Sequence, residues 1–186
     1  FTKVYMHDYM WMVVLAFIFY VRRDRFSLRW LFASVTLVYI LGVLITMLYP
    51  SYGPCFLEPG RFSWIRETTV GRTQANLAQF YDLSVKTVNA EGAFRAAAFM
   101  GIAAFPSLHV AHMVILVMIA WRTFPLYSVW MLWMTIATTI ATIGFGWHYI
   151  VDALGGIVLA VLVTELLYRY YRRAPKATAI APPNET

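Results

Sequence analysis

Apolar positions along the chain fall into helix-length runs separated by short charged or proline- and glycine-containing breaks. Residues 9–21 (YMWMVVLAFIFYV) carry no charge but are shorter than the roughly 20 apolar residues a crossing helix needs. That helix is therefore expected to start near Thr2, with His7 and Asp8 in the outer interface. Arg22, Arg23, Asp24, Arg25 and Arg29 follow, and then residues 30–49 (WLFASVTLVYILGVLITMLY) are long enough to cross. Pro50, Gly53, Pro54, Pro59 and Gly60 break that helix and open a polar stretch that reaches about Arg95. Within it, residues 72–89 place Leu77, Phe80, Tyr81, Val85 and Val88 near helical spacing, which predicts an amphipathic helix lying at the interface. Residues 93–105 are small and apolar but too short to span, and read as a half-buried helix leading into Pro106. Apolar helices then follow over 107–121, 123–147 and 149–168, the first closed by Arg122 and Pro125 and the last by Arg169, Arg172, Arg173 and Lys176.

Composition turns these helices into membrane spans. The chain of 186 residues is 61% hydrophobic and 13% charged, with a mean hydropathy of +0.63, too apolar for an ordinary soluble domain. The pattern predicts an all-α, polytopic transmembrane helix bundle with about five spanning helices and one extracytoplasmic interfacial helix. The formal charge of +6 does not indicate nucleic acid, because the basic residues cluster at the ends of apolar runs. Arg22, Arg23, Arg25, Arg29, Arg122, Arg169, Arg172, Arg173 and Lys176 put those ends on the cytoplasmic side, while Arg61, Arg66, Arg72, Lys86 and Arg95 lie in the outer segment. Residues 1–170 are thus expected to form one transmembrane catalytic domain, with 50–95 extracytoplasmic and 171–186 a basic, disordered cytoplasmic tail. The numbering opens on Phe1 without a methionine or a leader pattern, so a further N-terminal helix is expected upstream. The single Cys55 excludes an internal disulfide framework and a multi-cysteine metal centre.

Against this background, residues 144–156 (GFGWHYIVDALGG) carry a histidine and an aspartate into apolar sequence. His148 and Asp152 stand four apart and share a helix face, close enough for the carboxylate to hold one ring nitrogen and leave the other to react. Asp152 without a partner at that depth would cost roughly 2.5 to 3.5 kcal/mol even on translocon scales. His109, in FPSLHVA, is expected to meet them. The helix after Ser107 descends about 22 Å and the next one climbs about 28 to 30 Å, which returns the chain to the level it left. The shorter descent sets His109 several Å below the outer interface, in a recessed polar pocket. Pro106 suits a first helical turn and Gly144 and Gly146 loosen the chain before His148, so two helix starts with free amides would favour an anion, with Ser107 adding a hydroxyl. Such a site suits phosphoryl transfer, one imidazole attacking phosphorus and the other protonating the departing oxygen. His109 and His112 also have H-x-x-H spacing, but no acidic residue stands nearby in sequence to complete a metal site, and His7 and His112 read first as interface or core groups.

At these residues the sequence resembles the type 2 phosphatidic acid phosphatase superfamily, whose second signature is P-S-x-H and whose third ends in H-x-x-x-D. Here they read Pro106-Ser-Leu-His109 and His148-Tyr-Ile-Val-Asp152. The fuller strings FPSLHVA and HYIVDALGG look most like the branch containing the inositol phosphorylceramide synthases and related inositolphosphotransferases. The resemblance implies a six-helix bundle and no cofactor or metal. It also implies His148 as a nucleophile forming a phosphohistidine, Asp152 as its orienting partner, His109 as general acid and base, and Ser107 as a phosphate ligand. The first signature, a lysine followed six residues later by Arg-Pro, is absent, and Lys86 and Arg95 are the nearest candidates. Ala141-Thr142 stands where the third signature usually opens with Ser-Arg. The implied activity is a membrane phosphotransferase acting on lipid or polyprenyl phosphoesters at the extracytoplasmic or lumenal face. A phosphatase with the same site is the alternative, and a non-catalytic lipid-binding or transporter-type protein is the alternative of another class. Expected partners are the lipid or polyprenyl phosphate substrate and the surrounding membrane lipids.

Overall fold

Leu108–Thr123, which is apolar almost all round, forms the middle helix of the bundle, as expected of a helix covered on every side. A computed structural model describes residues 8–49, 51–87, 92 and 102–173. In chain order the α-helices are α1 (Asp8–Val21), α2 (Arg25–Leu48), α3 (Pro54–Leu57), α4 (Thr69–Thr87), α5 (Leu108–Thr123), α6 (Pro125–Gly144) and α7 (Ile150–Arg173), with a 3-10 helix over Pro59–Ile65. No strand occurs among the described residues, only an isolated antiparallel bridge between Tyr52 and Ala103. The architecture is the expected all-α membrane helix bundle. By length and composition α2, α6 and α7 can each cross a membrane, while α5 and the apolar part of α1 are shorter.

Helix α5 packs against α1, α2, α6 and α7, and its Val110, Ala111, Met113, Ile115, Leu116, Ile119 and Ala120 are buried. Short connections make its neighbours antiparallel. Only Phe124 separates α5 from α6, and Arg22, Arg23 and Asp24 separate α1 from α2. Asp24 caps α2 by accepting the Ser27 amide at 3.0 Å. Lower in the bundle the Trp30 indole donates to the Thr164 carbonyl at 2.9 Å and ties α2 to α7. Outward-facing Phe17, Leu44, Trp133, Leu154 and Leu162 are exposed, as expected of side chains that face lipid.

Two boundary expectations are corrected. Residues 102–105, expected to end a half-buried helix, are not helical; Phe105 precedes Pro106, which disfavours helical backbone at the residue before it. The rest of that helix, 93–101, lies outside the described residues, as do His7 and Arg95. Pro106 is not in the first turn of α5 either. Ser107 is the N-cap, its hydroxyl oxygen accepting the Val110 amide at 3.4 Å, and Pro106 sits one residue earlier.

Candidate active site

Three backbone segments converge at one end of the bundle: residues 102–107, the loop Phe145 to Tyr149, and the stretch from Ser51 to Cys55. The Ala104 amide donates to the Ser51 carbonyl at 3.0 Å and the Phe105 amide to the Ser51 hydroxyl at 2.9 Å. Thr46, in the last turn of α2, donates to the Phe105 carbonyl at 3.0 Å. The other loop is held by the Cys55 amide on the Gly146 carbonyl at 2.8 Å and by the Gln74 side chain on the Phe145 carbonyl at 2.7 Å. Gly146 takes a φ of +74°, the left-handed conformation that glycine adopts without strain. Finally, the Ser107 amide donates to the Asp152 carbonyl at 2.9 Å, so the starts of α5 and α7 touch through their main chains. Gly156 permits that approach, because a Cβ there would lie far inside contact with the Ser107 carbonyl oxygen.

His148 is buried in this junction, and its Nδ1 lies 2.7 Å from the Ala104 carbonyl oxygen. A carbonyl can only accept, so Nδ1 carries the proton and Nε2 keeps its lone pair. Asp152 stands close but does not make that hydrogen bond. Its Oδ2 is 3.9 Å from His148 Nδ1 and accepts the Tyr149 amide at 2.7 Å, as an acid three residues into a helix does in a capping box. The His109 ring centroid is 6.2 Å from that of His148 and 5.5 Å from that of Tyr9. Burial lowers the pKa of His148, in the loop ahead of α7, from 6.5 to about 4, while the Ala104 hydrogen bond pushes the other way. A neutral imidazole with one free nitrogen, beside a second imidazole and a carboxylate, can act as a nucleophile toward phosphorus.

A family model described as the PAP2 superfamily matches residues 1–166. The chain belongs to the PAP2 superfamily. No curated protein and no solved structure matches it. Membership supports a phosphatase-type membrane enzyme acting on lipid phosphoesters. The third PAP2 signature usually begins with a cation, and here Thr142 fills that place. It is fully buried, donates its hydroxyl to the Thr139 carbonyl at 2.9 Å, and accepts the Trp147 amide at 3.0 Å through its own carbonyl. It supports the His148 loop and brings no charge to it.

Of the other residues singled out from sequence, Ser107 is fully buried at the head of α5 and Lys86 is exposed in the last turn of α4. Sequence reasoning missed the Ala104 carbonyl, which has no side-chain signal, and also missed Ser51, Thr46 and Gln74. Gln74 carried a faint signal, standing four residues after Val70 and three before Leu77 on the apolar face of its helix. Among the described residues, no group of three His, Cys, Asp or Glu converges in a way that suits a metal ion.

Proposed function

We propose that the chain is a membrane phosphotransferase of the inositolphosphotransferase-like branch, acting on lipid or polyprenyl phosphoesters through a phosphohistidine on His148. The observation that carries the mechanism is the 2.7 Å contact of His148 Nδ1 with the Ala104 carbonyl, which leaves Nε2 as the attacking nitrogen. In the first step the Nε2–P bond forms, the bond from phosphorus to the leaving oxygen breaks, and His109 gives that oxygen a proton. The phosphorylated ring keeps its Nδ1 proton and is cationic, a state the Asp152 carboxylate 3.9 Å away stabilises. In the second step His109 takes the proton of an incoming hydroxyl, which attacks phosphorus and frees Nε2. Ser107 Oγ, an acceptor in its cap, retains a proton for a phosphate oxygen. No metal enters either step. Lys86, Arg95 and Arg66 are the candidate counter-charges, and the arginine-rich connection between α1 and α2 supports an extracytoplasmic site with a cytoplasmic C-terminus.

The transferase assignment rests on the strings FPSLHVA and HYIVDALGG and on Thr142 in place of the usual cation. The test is to incubate the purified full chain in lipid nanodiscs with labelled lipid phosphate, with and without an inositol-type alcohol, and to repeat it with chelator. Native protein should move the labelled phosphoryl group onto the alcohol as a new phosphoester and resist the chelator. His109→Ala should lower turnover about 10²- to 10⁴-fold, and His148→Ala should abolish the labelled phosphoenzyme. Release of inorganic phosphate alone would make the chain a phosphatase. Full turnover by both variants would overturn the roles given to His148 and His109, and no turnover by the native chain would leave the non-catalytic reading standing.

A further inference from the structure

The end of the bundle away from His148 holds a cavity of about 290 Å³, where the connection between α1 and α2, the turn between α5 and α6, and the last turns of α7 meet. Along α5 the two ends are separated by about 24 Å, the rise of its 16 residues. Two guanidinium groups form the walls. Arg22 lies 4.9 Å from the centroid of the Phe124 ring, and Arg122 lies 4.4 Å from that of Tyr168 and 5.6 Å from that of Trp30. Behind them Glu165 joins Arg122 at 2.7 Å to Arg169 at 2.9 Å, and Arg172 donates to the Tyr168 hydroxyl at 3.3 Å. Ser27 and Thr123 supply hydroxyl groups to the lining.

Charge decides what fits. Arg22 and Arg122 line the cavity with Asp24, one positive charge in excess (two minus one), and behind them Arg169 and Arg172 outnumber Glu165. Asp24 is already committed to the start of α2 through the Ser27 amide. Guanidinium groups seated on aromatic rings are held before a ligand arrives, and their planar donors match phosphate oxygens. Phe26 in the lining is exposed and apolar, as is Trp121 next to Arg122 in sequence, with Leu166 and Tyr170 exposed beside Arg169. A phosphate that enters here while its remainder lies against such side chains belongs to a lipid.

We propose that this cavity binds the headgroup phosphate of an anionic phospholipid, at the opposite end of the bundle from the candidate active site. The bound lipid would join α1, α2, α5 and α7 at an end where they otherwise meet through side chains, independently of any phosphoester turnover. The test is to titrate the full chain in neutral detergent with phosphatidylglycerol, phosphatidylcholine and inorganic phosphate separately, following intact-complex mass and thermal midpoint. Phosphatidylglycerol should bind at least tenfold more tightly than phosphatidylcholine and raise the midpoint. Arg22→Gln, which leaves the Arg122–Glu165 pair intact, should weaken that binding about fivefold, and Arg22→Gln with Arg122→Gln by more. His148→Ala should bind phosphatidylglycerol as the native chain does. Equal affinity for both lipids, or an Arg22→Gln variant that binds as well as native protein, overturns the proposal. Equally tight binding of inorganic phosphate overturns the lipid as its source.

Discussion

Among the glycines of α6 and α7, Gly156 should be the most sensitive, although it carries no functional group. Its Cα faces the Ser107 carbonyl, and a Cβ there would meet main-chain atoms of Ser107 rather than a side chain able to turn away. Gly156→Ala must therefore separate the starts of α5 and α7 and strain the hydrogen bond from the Ser107 amide to the Asp152 carbonyl. Forcing a methyl group into packed backbone costs about 1–3 kcal/mol. The functional effect should be larger in proportion, because His109 rides on α5 and His148 on the loop entering α7. A displacement of about 1 Å between reacting groups is enough to lower turnover about 10²-fold.

Two neighbouring glycines provide the scale. A Cβ at Gly155 would meet only the Phe105 ring, which can rotate, and one at Gly144 would meet nothing within 4 Å. Thermal midpoints in detergent and turnover of a lipid phosphate should rank the variants Gly156→Ala worst, Gly155→Ala intermediate and Gly144→Ala equal to native or slightly more stable. Native turnover and stability in Gly156→Ala, or a worse outcome for Gly144→Ala, would refute the reasoning that main-chain contact between α5 and α7 sets the site.

Two further outcomes follow from burial. Because folding lowers the pKa of His148 from 6.5 to about 4, the unfolded chain takes up this proton first as pH falls. The stabilisation is complete above about pH 6.5 and is lost on the way down to pH 4, a loss of roughly 3 kcal/mol at most. Thermal midpoints of the native chain should fall more steeply across that window than those of His148→Asn, and parallel curves would count against a buried neutral imidazole. Among the described residues both ring nitrogens of fully buried His112 lack a hydrogen-bond partner, and such a group costs about 1–3 kcal/mol. His112→Leu should therefore match or exceed the native thermal midpoint, and a clear drop would show that the imidazole is satisfied in the membrane.

The helices were legible as apolar runs, while their ends are set by side chains that the runs pass over. Asp24 caps α2, which starts at Arg25 rather than at the expected residue 30, Pro125 opens α6 two residues after the expected start at 123, and the glycines at 144 and 146 end it before the expected Trp147. The amphipathic run expected over 72–89 is α4, and it begins three residues earlier. The meeting of His109 with His148 was also legible, since helix lengths alone return the chain to one level. What could not be read was the carbonyl that holds His148. Backbone acceptors carry no residue-specific mark, and the Ala104 carbonyl is placed by contacts with Ser51 and Thr46, more than fifty positions away.

That carbonyl changes the part assigned to Asp152. From spacing alone, a carboxylate four residues after a histidine is its natural hydrogen-bond partner. In the fold Asp152 Oδ2 is bound to the Tyr149 amide at 2.7 Å, and the imidazole proton goes to Ala104 at 2.7 Å. Orientation and charge are thereby divided between two groups. Ala104 fixes the tautomer without adding a charge, so the resting imidazole stays neutral and its Nε2 keeps its lone pair. Asp152, 3.9 Å away, stays clear of the hydrogen bond, and in the proposed mechanism its charge would matter once the ring becomes cationic. A carboxylate placed this way acts more on the intermediate than on the ground state, and only interactions that strengthen along the reaction raise its rate.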